Sequence, residues 1–120
     1  MTTEEIAGKL AFFQEQIHLI HWQTRSYAEH KVLGDFYEFI QGFKDEVIEK
    51  LMGYSGKRIQ SMKIEILGNK ADGLLVVENV LKFADELMKY ADDNKFLDVS
   101  NLAQELSGEA AKTKYLLTLS

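Results

Sequence analysis

Two of the three histidines, the only tryptophan and the densest run of carboxylates fall in the stretch from His21 to Glu49. His21 precedes Trp22, His30 follows nine positions later, and Asp45-Glu46-Val47-Ile48-Glu49 closes the segment. Neutral imidazole nitrogens and ionised carboxylates form a ligand set that suits iron, manganese or zinc. On a helix, Asp45 and Glu49 stand about 40° apart in projection and one turn apart in height, so both can reach one ion or one pair of ions. The same four residues also read as ordinary helix-surface and helix-end groups, and spacing alone leaves both readings open. No residue presents itself as a catalytic nucleophile or as part of an organic-cofactor site: there is no phosphate-binding glycine pattern and no nucleophile elbow.

Composition narrows the classes of function. The 120 residues suit one domain spanning 1–120, long enough to bury most of its apolar surface. With 46% hydrophobic and 28% charged residues the chain is expected to fold rather than stay disordered. A formal charge of −5 with no run of Lys or Arg disfavours nucleic acid and anionic membranes as partners. Without cysteine, disulfides and thiolate metal sites are excluded, so any metal must take N and O ligands. The acidic start Met-Thr-Thr-Glu-Glu-Ile is unlike a secretory signal, and apolar clusters such as Leu74-Leu75-Val76-Val77 fall far short of the roughly 20 residues of a spanning helix. A soluble, cytoplasmic protein is expected.

The elements that must position the candidate ligands read as four helices. Ile6, Leu10, Phe13, Ile17 and Ile20 give a helix over Thr3 to about Gln23, with Thr2-x-x-Glu5 as a capping pattern. His21 falls about 20° from Leu10 and about 40° from Ile17, at the margin of the apolar stripe, whereas His18 lies further toward the polar side and reads as a solvated histidine. Glu15-x-x-His18 has the spacing of di-iron bundles, but no second copy exists. Ser26 with Glu29 caps a second helix from about Tyr27 to Met52, with Leu33, Phe36, Ile40, Phe43, Val47 and Leu51 as its stripe and Gly53 and Gly56 as its stop. Tyr37, Ile48 and Met52 on one flank and Val32 and Phe39 on the other widen its apolar surface, which points to a subunit interface. Its remaining face carries Asp35, Glu38, Asp45, Glu46 and Glu49.

Residues Tyr54 to Ala71 read as an irregular crossover with an extended piece, Met62-Lys63-Ile64-Glu65-Ile66, long enough to run the length of a bundle. Asp72 caps a third helix through Leu74, Val77, Leu81, Ala84, Leu87 or Met88 and Ala91. Asp98 or Ser100 caps a fourth through Leu102, Leu106, Ala110, Thr113 and Leu117. Short connections within each pair and a long one between them give an all-α, ferritin-like four-helix bundle: two antiparallel hairpins joined by a long crossover.

At His21-Trp22, His30 and Asp45-Glu46-x-x-Glu49 the sequence resembles the Dps-type mini-ferritins, and the ending Lys112-Thr113-Lys114-Tyr115-Leu116-Leu117 is similar to theirs. That resemblance implies an inter-subunit site, with His21 and His30 of one chain facing Asp45 and Glu49 of a two-fold partner, and Fe(II) as the ion bound and oxidised. Zinc or manganese are the alternatives. The pattern departs at Gly34, where an aspartate ligand is usual, and in a shorter interval between the histidines, so the implied ferroxidase is weak or degenerate. The run from Ser26 to Glu38 and the ending from Lys112 to Ser120 also resemble a small, uncharacterised ferritin-like family of large tailed phages. A phage origin implies the host cytoplasm and a host or phage protein as partner. Two functions follow: a homodimeric or larger assembly with an inter-subunit metal site, or a non-enzymatic bundle that self-associates or captures a partner.

Overall fold

The computed structural model describes residues 1–65 and 72–119. Four helices follow in order, α1 (Thr3–Gln23), α2 (Tyr27–Ser55), α3 (Gly73–Asp93) and α4 (Leu97–Leu117), and there is no strand among the described residues. The end of α2 meets the start of α4 through Lys50 and Asp98, and Lys114 near the end of α4 pairs with Glu78 near the start of α3. The start of α3 lies beside the start of α2, since a Cβ at Gly73 would stand 3.4 Å from Leu33. Hence α1 and α2 form one antiparallel hairpin, α3 and α4 another, and α2 runs parallel to α3. The long connection between the hairpins, expected from its length, is what permits that parallel pair. Its residue Ile66 and the others through Ala71 lie outside the described residues.

The α2 stripe is the expected one: its buried residues are Leu33, Phe36, Ile40, Phe43, Val47 and Leu51. Thr2 caps α1, Ser26 caps α2 and Asp72 caps α3, each side-chain oxygen accepting a first-turn backbone N–H at 3.0–3.2 Å. The other helices differ in instructive ways. Gly53 does not stop α2, which continues to Ser55; Gly56 does, in the left-handed region at φ 71° that a glycine adopts without strain. On α3 the core face is turned relative to the expected stripe. Val76, Val80 and Phe83 are buried alongside Val77, Ala84, Leu87 and Ala91, while Leu74 and Leu81 are only half-buried. The reason is that α3 touches α1 as well as α4: Phe83 meets Phe13 edge-on with ring centroids 5.7 Å apart.

Neither Asp98 nor Ser100 caps the start of α4, contrary to the expectation; its N-cap position is Phe96. Tyr54 supplies the missing acceptor from α2, its hydroxyl oxygen taking the Asp98 backbone N–H at 3.1 Å, and its ring stacks on Phe96. Asp98 instead pairs with Lys50, and the Ser100 hydroxyl donates to Asp92 across the α3–α4 turn at 2.5 Å. On the flanks of α2, Tyr37, Phe39 and Ile48 pack against this chain's own core and stay partly exposed.

No helix among the described residues is long and apolar enough to cross a membrane.

Two outcomes follow for the α2–α4 junction. Tyr54→Phe keeps the ring but removes the acceptor, and is expected to cost about 1 kcal/mol in denaturant unfolding. Hydrogen bonds from Lys50 to Asp98, then to Glu46, hold its ammonium above its ordinary pKa. A raised folded-state value makes the contribution complete below about pH 10, the unfolded-chain range of lysine, and removes it as pH rises through the folded value. The stability difference between wild type and Lys50→Met should therefore persist at neutral pH and narrow in strong alkali.

Candidate functional site

The hairpin turn between α1 and α2 is only Thr24, Arg25 and Ser26. The Thr24 backbone N–H donates to the Ile20 carbonyl at 2.9 Å, the Thr24 hydroxyl oxygen accepts the Ser26 N–H at 3.2 Å, and Ser26 opens α2. So short a turn brings the last turn of α1, with His18, His21 and Trp22, against the first three turns of α2, with Tyr27, His30, Gly34 and Tyr37.

There the two candidate imidazoles meet. His21 Nδ1 donates to the His30 carbonyl oxygen at 2.6 Å, His30 Nδ1 donates to the His21 carbonyl oxygen at 2.8 Å, and the rings stack with centroids 3.8 Å apart at 14°. A carbonyl oxygen only accepts, so the proton of each ring sits on Nδ1. In the neutral ring the lone pair is then on Nε2, and among the described residues no hydrogen bond uses it. The His21 carbonyl lies in the last turn of α1, where the helix offers no partner, so His30 also completes that end in the way a basic group at a helix C-terminus does.

A wider stack of rings supports the pair. His18 is half-buried between Trp22 and Tyr37, each with its ring centroid 3.9 Å away, and stands 5.8 Å from His21. The expectation of a solvated His18 is thus corrected: Tyr37 from α2 covers it. Trp22 is 65% exposed and Tyr27 70% exposed, so the outer edge of the stack is open.

Gly34, read in the sequence as a lost ligand position, has a different role. A Cβ built there would stand 2.8 Å from His21 Cε1 and 3.1 Å from Nδ1. The space above Gly34 is filled by the imidazole of His21. Nothing in the types of residue announces this, but Gly34 sits four residues after His30, one turn along on the same helix face, and that spacing is the available signal.

Asp45 and Glu49 share a helix with His30, yet lie 15 and 19 positions further on, about 22 and 28 Å along the axis. Both are exposed. Asp45 lines a groove with Lys44, Ile48 and the connection's Ile59 to Met62, while Glu49 lines another with Lys57 and Arg58. Among the described residues no three His, Asp or Glu side chains are grouped to hold a metal within one chain. The structure therefore brings His21 and His30 together and leaves Asp45 and Glu49 apart from them. What one chain offers a metal is two imidazole Nε2 atoms at one end of α2 and two carboxylates nearer the other.

The segment from residue 21 to 117 matches a protein-family model, described as a family of unknown function (DUF5856), and so includes His21, His30, Gly34, Asp45 and Glu49. The chain belongs to that family. It is also 23% identical over 116 residues to an "Uncharacterized 14.6 kDa protein in mobD-ri intergenic region" of Enterobacteria phage T4, covering 97% of this chain and 88% of that one. No solved structure matches. The resemblance to a family of tailed phages thus meets a phage relative, and the match begins at His21 itself.

His30→Phe keeps a stacking ring but removes the donor to His21. Loss of about 1 kcal/mol in urea unfolding is expected, with faster amide exchange at Thr24, whose N–H closes α1.

Proposed function

We propose that this DUF5856 protein is a phage-type helical bundle that self-associates in the host cytoplasm and holds a divalent transition metal between copies. His21 and His30 of one chain supply nitrogen, and Asp45 and Glu49 of another supply oxygen. Iron is the expected ion, with zinc or manganese as alternatives. One observation carries the reading: both Nδ1 atoms are tied to backbone carbonyls, which leaves both Nε2 atoms as ligands of fixed tautomer. A carbonyl partner on the second ring nitrogen is the usual support of a metal-binding histidine.

The order of helices, two antiparallel hairpins joined by a long connection, supports kinship with ferritin-like bundles. The departures already noted at Gly34 and between the histidines argue for binding with little ferroxidase turnover. A metal at this place polarises and orients what binds to it; the chain's own contribution is to set ring orientation and tautomer. The carboxylates have to come from a second chain, because the rigid α2 separates them from the histidines within one.

A second reading is favoured by the exposure of Trp22 and Tyr27. Two large aromatic side chains open to solvent beside the turn suit a non-enzymatic bundle that binds a host or phage protein.

Trans-complementation separates the two. Chains carrying His21→Ala with His30→Ala, and chains carrying Asp45→Ala with Glu49→Ala, are each expected to lose Zn(II) and Fe(II) binding in titrations followed by elemental analysis. Mixed dimers should recover one of two sites, since one interface then has both intact halves. Wild-type binding no tighter than about millimolar, or mixed dimers as inert as the separate variants, defeats the metal reading and leaves the interaction protein.

A further inference from the structure

Gly34 is the position in this site with no chemistry of its own, and its surroundings give it a task. Of the seven described glycines, Gly42, Gly53, Gly56 and Gly108 have open space where a Cβ would stand. Gly8 is pressed by the Lys63 backbone and Gly73 touches Leu33 at ordinary contact distance. Gly34 alone among them is pressed by a ring that is itself a candidate ligand, with its Cε1 and Nδ1 at 2.8 and 3.1 Å from an added Cβ. These are also the atoms that cannot move freely: Nδ1 holds the 2.6 Å bond to the His30 carbonyl, and the ring stacks on His30 at 3.8 Å.

We infer that Gly34 is a positioning residue, which by lacking a side chain lets the His21 ring lie across α2, reach the His30 carbonyl and present Nε2 as a ligand. The physical sequence is short. A glycine inside a helix is normally unfavourable relative to alanine, because it gives up more backbone freedom on folding. Here a methyl group would enter the van der Waals space of an imidazole that is stacked on His30 and tied through Nδ1, so the ring must shift. Once it shifts, Nδ1 loses its acceptor and nothing holds the proton there. The tautomer that leaves Nε2 free, on which the proposed metal reading rests, is then no longer imposed.

Ring-nitrogen NMR of the full chain, with two-bond ¹H–¹⁵N correlations in mildly alkaline buffer, reads this without any metal. In wild type, His21 and His30 should both show the Nδ1–H tautomer. In Gly34→Ala, His21 should lose it, and the unfolding midpoint should not rise. Gly42→Ala, on the same helix with open space around it, should raise the midpoint and leave both tautomers unchanged. In a His21→Ala background the ring is gone, so Gly34→Ala should become as well tolerated as Gly42→Ala. That last pair keeps the test decisive should Gly34→Ala alone fold poorly. Retention of the His21 Nδ1–H signal in Gly34→Ala, or an equal penalty with and without the His21 ring, overturns the inference. Zn(II) titration of the wild type is a separate arm: failure there removes the proposed metal site, while the tautomer readout still decides what Gly34 does.

Discussion

The register of the α1–α2 hairpin is the constraint from which most of this molecule follows. A turn of three residues, closed by the Thr24 N–H on one side and by the Ser26 cap on the other, leaves no slack between the two helices. Antiparallel helices joined this tightly meet at positions whose residue numbers sum to a nearly constant value. The contacts obey that rule along the hairpin. His21 lies on Gly34, His18 stacks on Tyr37, and Ala7 shares a groove with Ile48, three pairs with the same sum. The imidazole pair is thus not an isolated feature of the turn: His21 on Gly34 is the rung nearest the turn, and His30, one helical turn before Gly34, stacks on the same ring.

That register also explains why α1 is so uniformly buried. The spacing of Ile6, Leu10, Phe13, Ile17 and Ile20 reads as a single apolar stripe, but Ala7, Gly8, Ala11, Gln14 and Gln16 are buried together with them. One face meets α2, another meets α3 at Phe83, and Gly8 accepts the Lys63 backbone of the connection against it. Small residues at 7, 8 and 11 are what a helix needs when backbones approach on several sides. Gln14 Oε1 and both amide atoms of Gln16 are buried with no hydrogen-bond partner among the described residues. Each such group costs about 1–3 kcal/mol when buried, so here packing dominates over polar satisfaction.

What the sequence made legible and what it did not divide along the same physical line. Periodicity found all four helices and the exact buried stripe of α2, and local capping patterns at Thr2, Ser26 and Asp72 held, because each depends on neighbours within a few residues. The start of α4 was missed because its acceptor, the Tyr54 hydroxyl, comes from 44 residues away. The α3 stripe held at Val77, Ala84, Leu87 and Ala91 but did not include Val76, Val80 and Phe83, because a helix packed on two neighbours buries a wider face than one stripe. In the site, the pairing of His21 with His30 was legible as ligand type and proximity. Its reciprocity, the burial of His18 and the use of Gly34 as space were not, since each requires knowing which side chain lies across the hairpin. Gly34 shows the difficulty well: a position judged by the ligand it lacks turns out to be defined by the ring that occupies it.

The same geometry limits how the acidic pair can act. Asp45 and Glu49 occupy the half of α2 that the connection crosses, with Lys44, Lys57 and Arg58 lining the same grooves. A helix does not fold back on itself over about 22 Å, so no motion within the hairpin brings these carboxylates to the histidines of the same chain. Joint action of the four residues requires two copies of α2 lying antiparallel, so that the histidine end of each faces the acidic end of the other. In that arrangement Lys57 and Arg58, which line the groove of Glu49, would work against a bound metal ion there, whereas Lys44 is the one cation lining the groove of Asp45. The two carboxylates, equivalent by spacing, are therefore unequal by surroundings.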